Sequence, residues 1–170
     1  MSDPNTQQAS STNSGDREKI TELIKGIRVA MVTTVDADGA LVSRPMATQD
    51  VEFDGNLWFI AERDSSLAQT VTSSDARVNV AYAGNGGWVS VAGVGRLVDD
   101  RAKLEKHWGL FTDTWMEGGP ENPQNVLIKV EADSAEYWGS PGSKVTRLAD
   151  FARSVATGER PSGESGTVDL

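Results

Sequence analysis

The chain has 170 residues, a formal net charge of -9 and a sequence pI of about 4.6, about one domain's worth of polypeptide and enough to bury a core unaided. The absence of cysteine removes disulfide frameworks, zinc–thiolate and iron–sulfur sites and thiol nucleophiles, and it fits a reducing cytoplasm. An acidic field repels nucleic acid and anionic membrane, no apolar run approaches the roughly 20 residues of a bilayer span, and the N-terminus lacks a signal-peptide pattern, so a soluble cytoplasmic protein is expected.

Residues 1–15 are small and polar, rich in Ser, Thr, Asn and Gln, and read as a disordered leader. Folded chain is expected over 16–157. Ile20, Leu23, Ile24 and Ile27 fall at i, i+3, i+4 and i+7, an amphipathic helix with Asp16 and Glu18 in its first turn and its close near Gly26. Strands are predicted at Val29–Val35, Ala40–Thr48, Val51–Phe53, Asn56–Ala61, Arg77–Tyr82, Trp88–Val98 and Val126–Glu131, with Ala135–Trp138 as an eighth. Asp38-Gly39 and Asp54-Gly55 are hairpin signals, because both pairs tolerate the positive φ of a tight turn. Helices are predicted at Ser65–Ser74, with Leu67 and Val71 inward, and at Asp100–Phe111, capped by Asp99 or Asp100. A last amphipathic segment runs from Lys144 to Ala156, and 158–170 reads as a flexible tail. Many short strands with few helices describe a barrel. Gly93 and Gly95 within one strand supply a bend or bulge.

Several chemistries find no support in this pattern. The single His, His107, lies at the edge of an amphipathic helix, so neither a His metal cluster nor a Ser-His-Asp hydrolase is indicated. Gly93-Val94-Gly95 lacks the third Gly and the strand-turn-helix setting of a dinucleotide fingerprint. Asp99-Asp100 is explained by capping a helix. What remains is Arg44, delivered by a strand directly into Pro45, whose nitrogen cannot donate to a ladder. A guanidinium fixed there suits either a phosphate or a structural Asp.

The stretches TTVDADGALVSRPM, LWFIAERDSSLAQTV, ARVNVAYA, WVSVAGVGRLVDDRAKLEKHWG, TWMEGGPENP and LIKVEADSAEYW, in this order over about Asp16 to Ala156, resemble the general stress protein 26 group of the pyridoxine 5'-phosphate oxidase-like flavoproteins. The resemblance implies a mainly β fold with peripheral helices: a six- to eight-stranded antiparallel split barrel. It also implies a homodimer with two flavin mononucleotide (FMN) sites between the subunits. Carried over residue by residue, it makes Arg44 the phosphate ligand and lays the backbone of Pro45, Met46 and Ala47 along the isoalloxazine ring. Ile60 and Ala61, within Phe59-Ile60-Ala61-Glu62, would meet the ring and ribityl chain.

Two departures stand out. Ala61 occupies a common Thr position, and Ser65-Ser66-Leu67 replaces a Ser-x-Lys whose Lys completes the phosphate clamp. Loss of one charge-assisted contact typically removes roughly 1.5 to 3 kcal/mol, which implies weaker flavin binding held by the hydroxyls of Ser65 and Ser66. Trp115 is a candidate ring contact, with core or interface packing as its alternative, and the adjoining Gly118-Gly119-Pro120 turn is placed as a lid. Pyridoxine phosphate oxidation itself is not expected, because the C-terminal Arg-Leu-x-Pro signature of those enzymes is absent. The function implied is an FMN-dependent oxidoreductase carrying two electrons from NAD(P)H or a similar donor to a small acceptor, with a stress role carried by the group's name. The alternatives are a non-catalytic module for flavin, deazaflavin F420 or haem, and a cofactor-free dimer.

Overall fold

Alternating apolar and polar residues build one antiparallel sheet of seven strands. The structure, a computed structural model, describes residues 15, 17–49, 53–72, 76–84, 86–139 and 165–170. In chain order come helix α1 (17–24), β1 (Val29–Val35), β2 (Leu41–Ala47), β3 (Asn56–Glu62), α2 (Ser66–Thr70), β4 (Arg77–Gly84), β5 (Gly87–Val98), α3 (Arg101–His107), α4 (Leu110–Trp115), β6 (Asn125–Trp138) and β7 (Ser165–Asp169). The strand order is β2-β1-β4-β5-β6-β3, with β7 also on β6. Strands β2 and β3 therefore end the order, and each pairs on one side only among the described strands.

The β1–β2 hairpin forms as expected. Asp36 Oδ1 accepts from the amides of Asp38 and Ala40, at 3.0 and 2.8 Å, and Gly39 takes φ 81°. Its register sets Val32 opposite Arg44 and Val35 opposite Leu41. The main core lies on one face of the sheet, with Val32, Phe59, Val80, Val91, Ile128 and Val130 almost fully buried. A smaller core of Ile60, Leu104 and Leu127, flanked by Trp58, Val98, Trp108 and Met116, lies on the opposite face of β3 and β6, where residues of α3 cover it.

Several expectations need correction. Val126–Glu131 and Ala135–Trp138 are one strand, β6, whose first half pairs with β3 and second half with β7. Its polar middle hides this continuity from the sequence, and a register shift opposite Ala92/Gly93 absorbs the irregularity. At Gly93 a Cβ would run into the Glu131 carbonyl oxygen, so the close approach of two backbones requires glycine. The helix expected over Asp100–Phe111 is two helices, broken at Trp108-Gly109; Asp100 Oδ1 caps α3 by accepting from the Lys103 amide at 3.0 Å. Asp99 instead pairs with Arg63 at 3.2 Å. Helix α2 spans five residues, not the ten expected. Part of the expected tail, Ser165–Asp169, is β7: Val168 is buried and Leu170 packs on the main core. Phe53 precedes β3 without being in a strand. Residues 51 and 52, the leader through residue 14, and the expected helix at 144–156 lie outside the described residues. No described helix is long and apolar enough to cross a membrane.

Candidate functional site

Arg44 sits on the inward-facing side of β2, and three neighbours fix its head group. Its Nε donates to Ser66 Oγ at 3.1 Å, and one terminal nitrogen donates to Thr34 Oγ1 at 3.0 Å and to the Val42 carbonyl at 3.5 Å. Thr34 is 1% exposed, so this polar side chain is buried against β2 and is satisfied there by the guanidinium. No carboxylate pairs with Arg44 among the described residues. Among the described residues no structural Asp meets it, and its described hydrogen-bond partners are all neutral groups.

Ser65 caps α2, its hydroxyl accepting from the Ala68 amide at 3.3 Å. Ser66 follows, exposed, and meets Arg44. Leu67 does not share this corner: it is 2% exposed within the main core. The residue beside the guanidinium is thus Ser66, one position earlier than the implied clamp. The side chains of Ile60 and Ala61 are likewise buried, Ile60 in the smaller core and Ala61 in the main one. Only their main chain is available to a ligand. Pro45 is exposed, while Met46 and Ala47 are half-buried.

Trp115 stands apart from this corner on α4, 71% exposed, with Phe111 at 6.3 Å as its aromatic neighbour. The turn at Gly118-Gly119 is tied down rather than hinged. Asn125, 2% exposed, donates through Nδ2 to the carbonyls of Glu117 and Gly119 at 3.0 and 2.8 Å. Arg101 donates to the carbonyls of Pro120, Asn122 and Asn125. Sequence reading missed both roles, since neither residue type signals a loop anchor at this spacing. His107 packs its ring 4.9 Å from Trp58, its Nδ1 2.8 Å from the Lys103 carbonyl, away from Arg44.

At the other end of the β2 and β3 edges lies a cavity of about 320 Å³, between the end of α1, the residues after β2 and the start of β3. Ile24, Phe53, Leu57, Trp58 and Tyr82 supply apolar walls, while Arg28 and Gln49 supply polar rim. Gln49 accepts from Thr112 of α4 at 3.5 Å. Burial pushes the Tyr82 hydroxyl far above its ordinary pKa, so it stays a neutral donor.

These features describe a split barrel with a fixed guanidinium at the corner where β2 meets α2. The chain belongs to the pyridoxamine 5'-phosphate oxidase-like family, whose profile it matches over residues 15–162. It is 32% identical over 144 residues to protein bli-3 of Neurospora crassa, covering 78% of this chain and 68% of that protein. Among solved structures it is similar to the general stress protein 26 of Bacillus anthracis, with 27% identity, a TM-score of 0.62 and coverage of 71% of this chain and 92% of that one. It is also similar to the general stress FMN/FAD binding protein of Xanthomonas citri, with 27% identity, a TM-score of 0.64 and coverage of 76% and 92%. A Jannaschia general stress protein 26 shares the fold at a TM-score of 0.77 and 24% identity, covering 92% and 99%. The split-barrel fold and the resemblance to the general stress protein 26 group are borne out.

Proposed function

We propose that this protein is a homodimeric FMN-binding oxidoreductase that moves two electrons between a reduced donor such as NAD(P)H and a small acceptor. The observation that carries this reading is the Arg44 guanidinium, fixed by Thr34 and Ser66 with no carboxylate to neutralise it among the described residues. Such a group favours a phosphate monoester, which offers nearly two negative charges in a geometry that suits a fork of N–H donors. The relation to the Xanthomonas citri protein, whose name specifies FMN/FAD binding, supports the same reading.

The residues present fit the cofactor at its phosphate end and along its ring. Arg44 would anchor the phosphate with the exposed Ser66 hydroxyl beside it, and the one-sided edges of β2 and β3 leave main-chain groups at Pro45–Ala47 and Ile60–Ala61 for the ring. FMN supplies the redox chemistry when bound, which explains why few titratable side chains are needed. The work of this chain is anchorage, orientation and exclusion of water.

The dimer is supported by one face of the sheet. Val29, Met31 and Val35 of β1, Leu41 of β2, Trp88 of β5 and Trp138 of β6 are all 41–76% exposed. The strand registers put them on a common side, Val35 opposite Leu41 and Trp88 opposite Trp138. Large apolar side chains exposed on one face of a sheet mark an interaction surface, and a second copy of the chain is the partner of this reading.

The test is the visible absorption spectrum of purified protein, before and after incubation with excess FMN and removal of the unbound fraction. Retained flavin bands at one chromophore per subunit in wild type, lost in Arg44→Ala, are expected. Equal retention by both proteins would overturn the anchor, and no retention by wild type would overturn the FMN reading.

A further inference from the structure

Among the described residues Thr34, Thr112 and Asn125 are buried polar side chains. Asn125 holds the carbonyls of the turn at Gly118-Gly119, and Thr112 meets Gln49. Thr34 has a partner of another kind, the Arg44 guanidinium. It lies on the inward row of β1 with Ala30 and Val32 and is as deeply buried as they are, a place where alternation calls for an apolar side chain. Val shares the β-branched shape of Thr and brings no hydroxyl that must find a hydrogen bond. A hydroxyl at this position therefore needs a reason other than packing.

The donors of Arg44 supply that reason. A guanidinium carries five N–H groups. The one on Nε goes to Ser66 Oγ at 3.1 Å, and one terminal nitrogen directs its pair at Thr34 Oγ1, 3.0 Å away, and at the Val42 carbonyl, 3.5 Å away. The other terminal nitrogen has no hydrogen-bond partner among the described residues and is left for an anion. Of the three anchors Thr34 is the shortest and comes from a buried side chain, whereas Ser66 is exposed on the five-residue α2. A β-branched side chain in a strand has little χ1 freedom, so Thr34 is a rigid stop for the guanidinium. An Arg held in this way loses less freedom when an anion arrives, which raises affinity without any new contact to that anion.

We infer that Thr34 is a positioning residue: through Arg44, and without touching the ligand, it sets how strongly the protein prefers a phosphorylated ligand to its unphosphorylated counterpart. This inference rests on the reading of Arg44 as a phosphate anchor. It goes beyond that reading by assigning part of the preference to a buried side chain on the neighbouring strand. It also separates binding from folding, because the loss of the hydroxyl weakens the anchor at a site where an apolar side chain packs equally well.

Fluorescence titration of the full chain with FMN and with riboflavin tests it. Wild type should bind FMN more tightly than riboflavin. Thr34→Val should narrow that preference about three- to tenfold through FMN alone, while riboflavin affinity and melting temperature are kept. Thr34→Ser, which keeps the hydroxyl, should keep the preference, and Thr34→Ala, which differs from Ser by that hydroxyl, should not. The Ser and Ala pair keeps the test open should Thr34→Val fold poorly. In an Arg44→Ala background, Thr34→Val should leave the two flavin affinities unchanged, because the hydroxyl acts through the guanidinium. A preference undiminished in folded Thr34→Val or Thr34→Ala, or one reduced equally in Thr34→Ser, overturns the role of Thr34 and leaves the reading of Arg44 standing. A wild type without a preference for FMN, or an Arg44→Ala protein that retains it, overturns that reading and this inference together.

Discussion

Replacing Ser66 with Lys should tighten FMN binding, while the same replacement one residue later should unfold the protein. Ser66 is exposed, and its Oγ lies 3.1 Å from Arg44 Nε. A Lys there adds one charge-assisted phosphate contact, about 1.5 to 3 kcal/mol. Repulsion from Arg44 opposes it by roughly 1 kcal/mol at about 5 Å in a water-like dielectric. The net gain is about 0.5 to 2 kcal/mol, or about 2- to 30-fold in affinity. Leu67 is 2% exposed in the main core. Leu67→Lys forfeits about 1.5 to 3 kcal/mol of apolar burial and adds several kcal/mol for desolvating an ammonium. That sum takes much of the 5 to 15 kcal/mol that typically separates native from unfolded protein. Flavin fluorescence titration measures the first effect and urea unfolding the second. A stably folded Leu67→Lys that binds FMN more tightly than Ser66→Lys would refute the placement of these two residues.

Other expectations follow from single contacts. Met31→Glu puts a charge among the exposed apolar side chains of β1 and should shift the proposed dimer toward monomer in light scattering coupled to size exclusion; an unchanged dimer mass would remove β1 from the proposed interface. Gly93→Ala should cost about 1 to 3 kcal/mol in urea unfolding, since its methyl would meet the Glu131 carbonyl. Glu121 raises the Glu105 carboxyl above the ordinary range, first by sharing a hydrogen bond and then by repulsion. A carboxyl raised in the folded state favours folding while protonated and loses that contribution as pH rises through its folded pKa. The melting temperature of wild type relative to Glu105→Gln should therefore fall as pH rises through the carboxylate range; parallel curves would contradict the pairing. Val168→Asp, which puts a carboxylate where β7 buries its one fully inward side chain, should lower the melting temperature markedly.

Local signals carried most of the barrel. β1 lies where alternation and the Asp36 to Gly39 turn put it, and β2, β3, β4 and β5 agree with expectation to within two residues at either end. β7 was missed because Ser165-Gly166-Thr167-Val168-Asp169 has one apolar side chain to announce it; its strand character comes from the edge of β6. Gly109 could have warned of the break between α3 and α4. Arg44 was legible as a fixed cation because Pro45 follows it, but its partner Thr34 depends on β1–β2 register. Whether position 66 or 67 faced Arg44 turned on the rotation of a five-residue helix, which no periodicity in so short a segment fixes. The cavity at Tyr82 joins α1, β3 and β4, a coincidence of distant segments with no local pattern.

Strand β6 takes β3 along its first half and β7 along its second, with Trp138 opposite Ser165 and Ser134 opposite Asp169. Without β7, Ser134–Trp138 would offer unpaired backbone beside an exposed tryptophan, the kind of edge that recruits other strands. A strand with a single inward side chain, Val168, thus guards the barrel against strand addition from other chains.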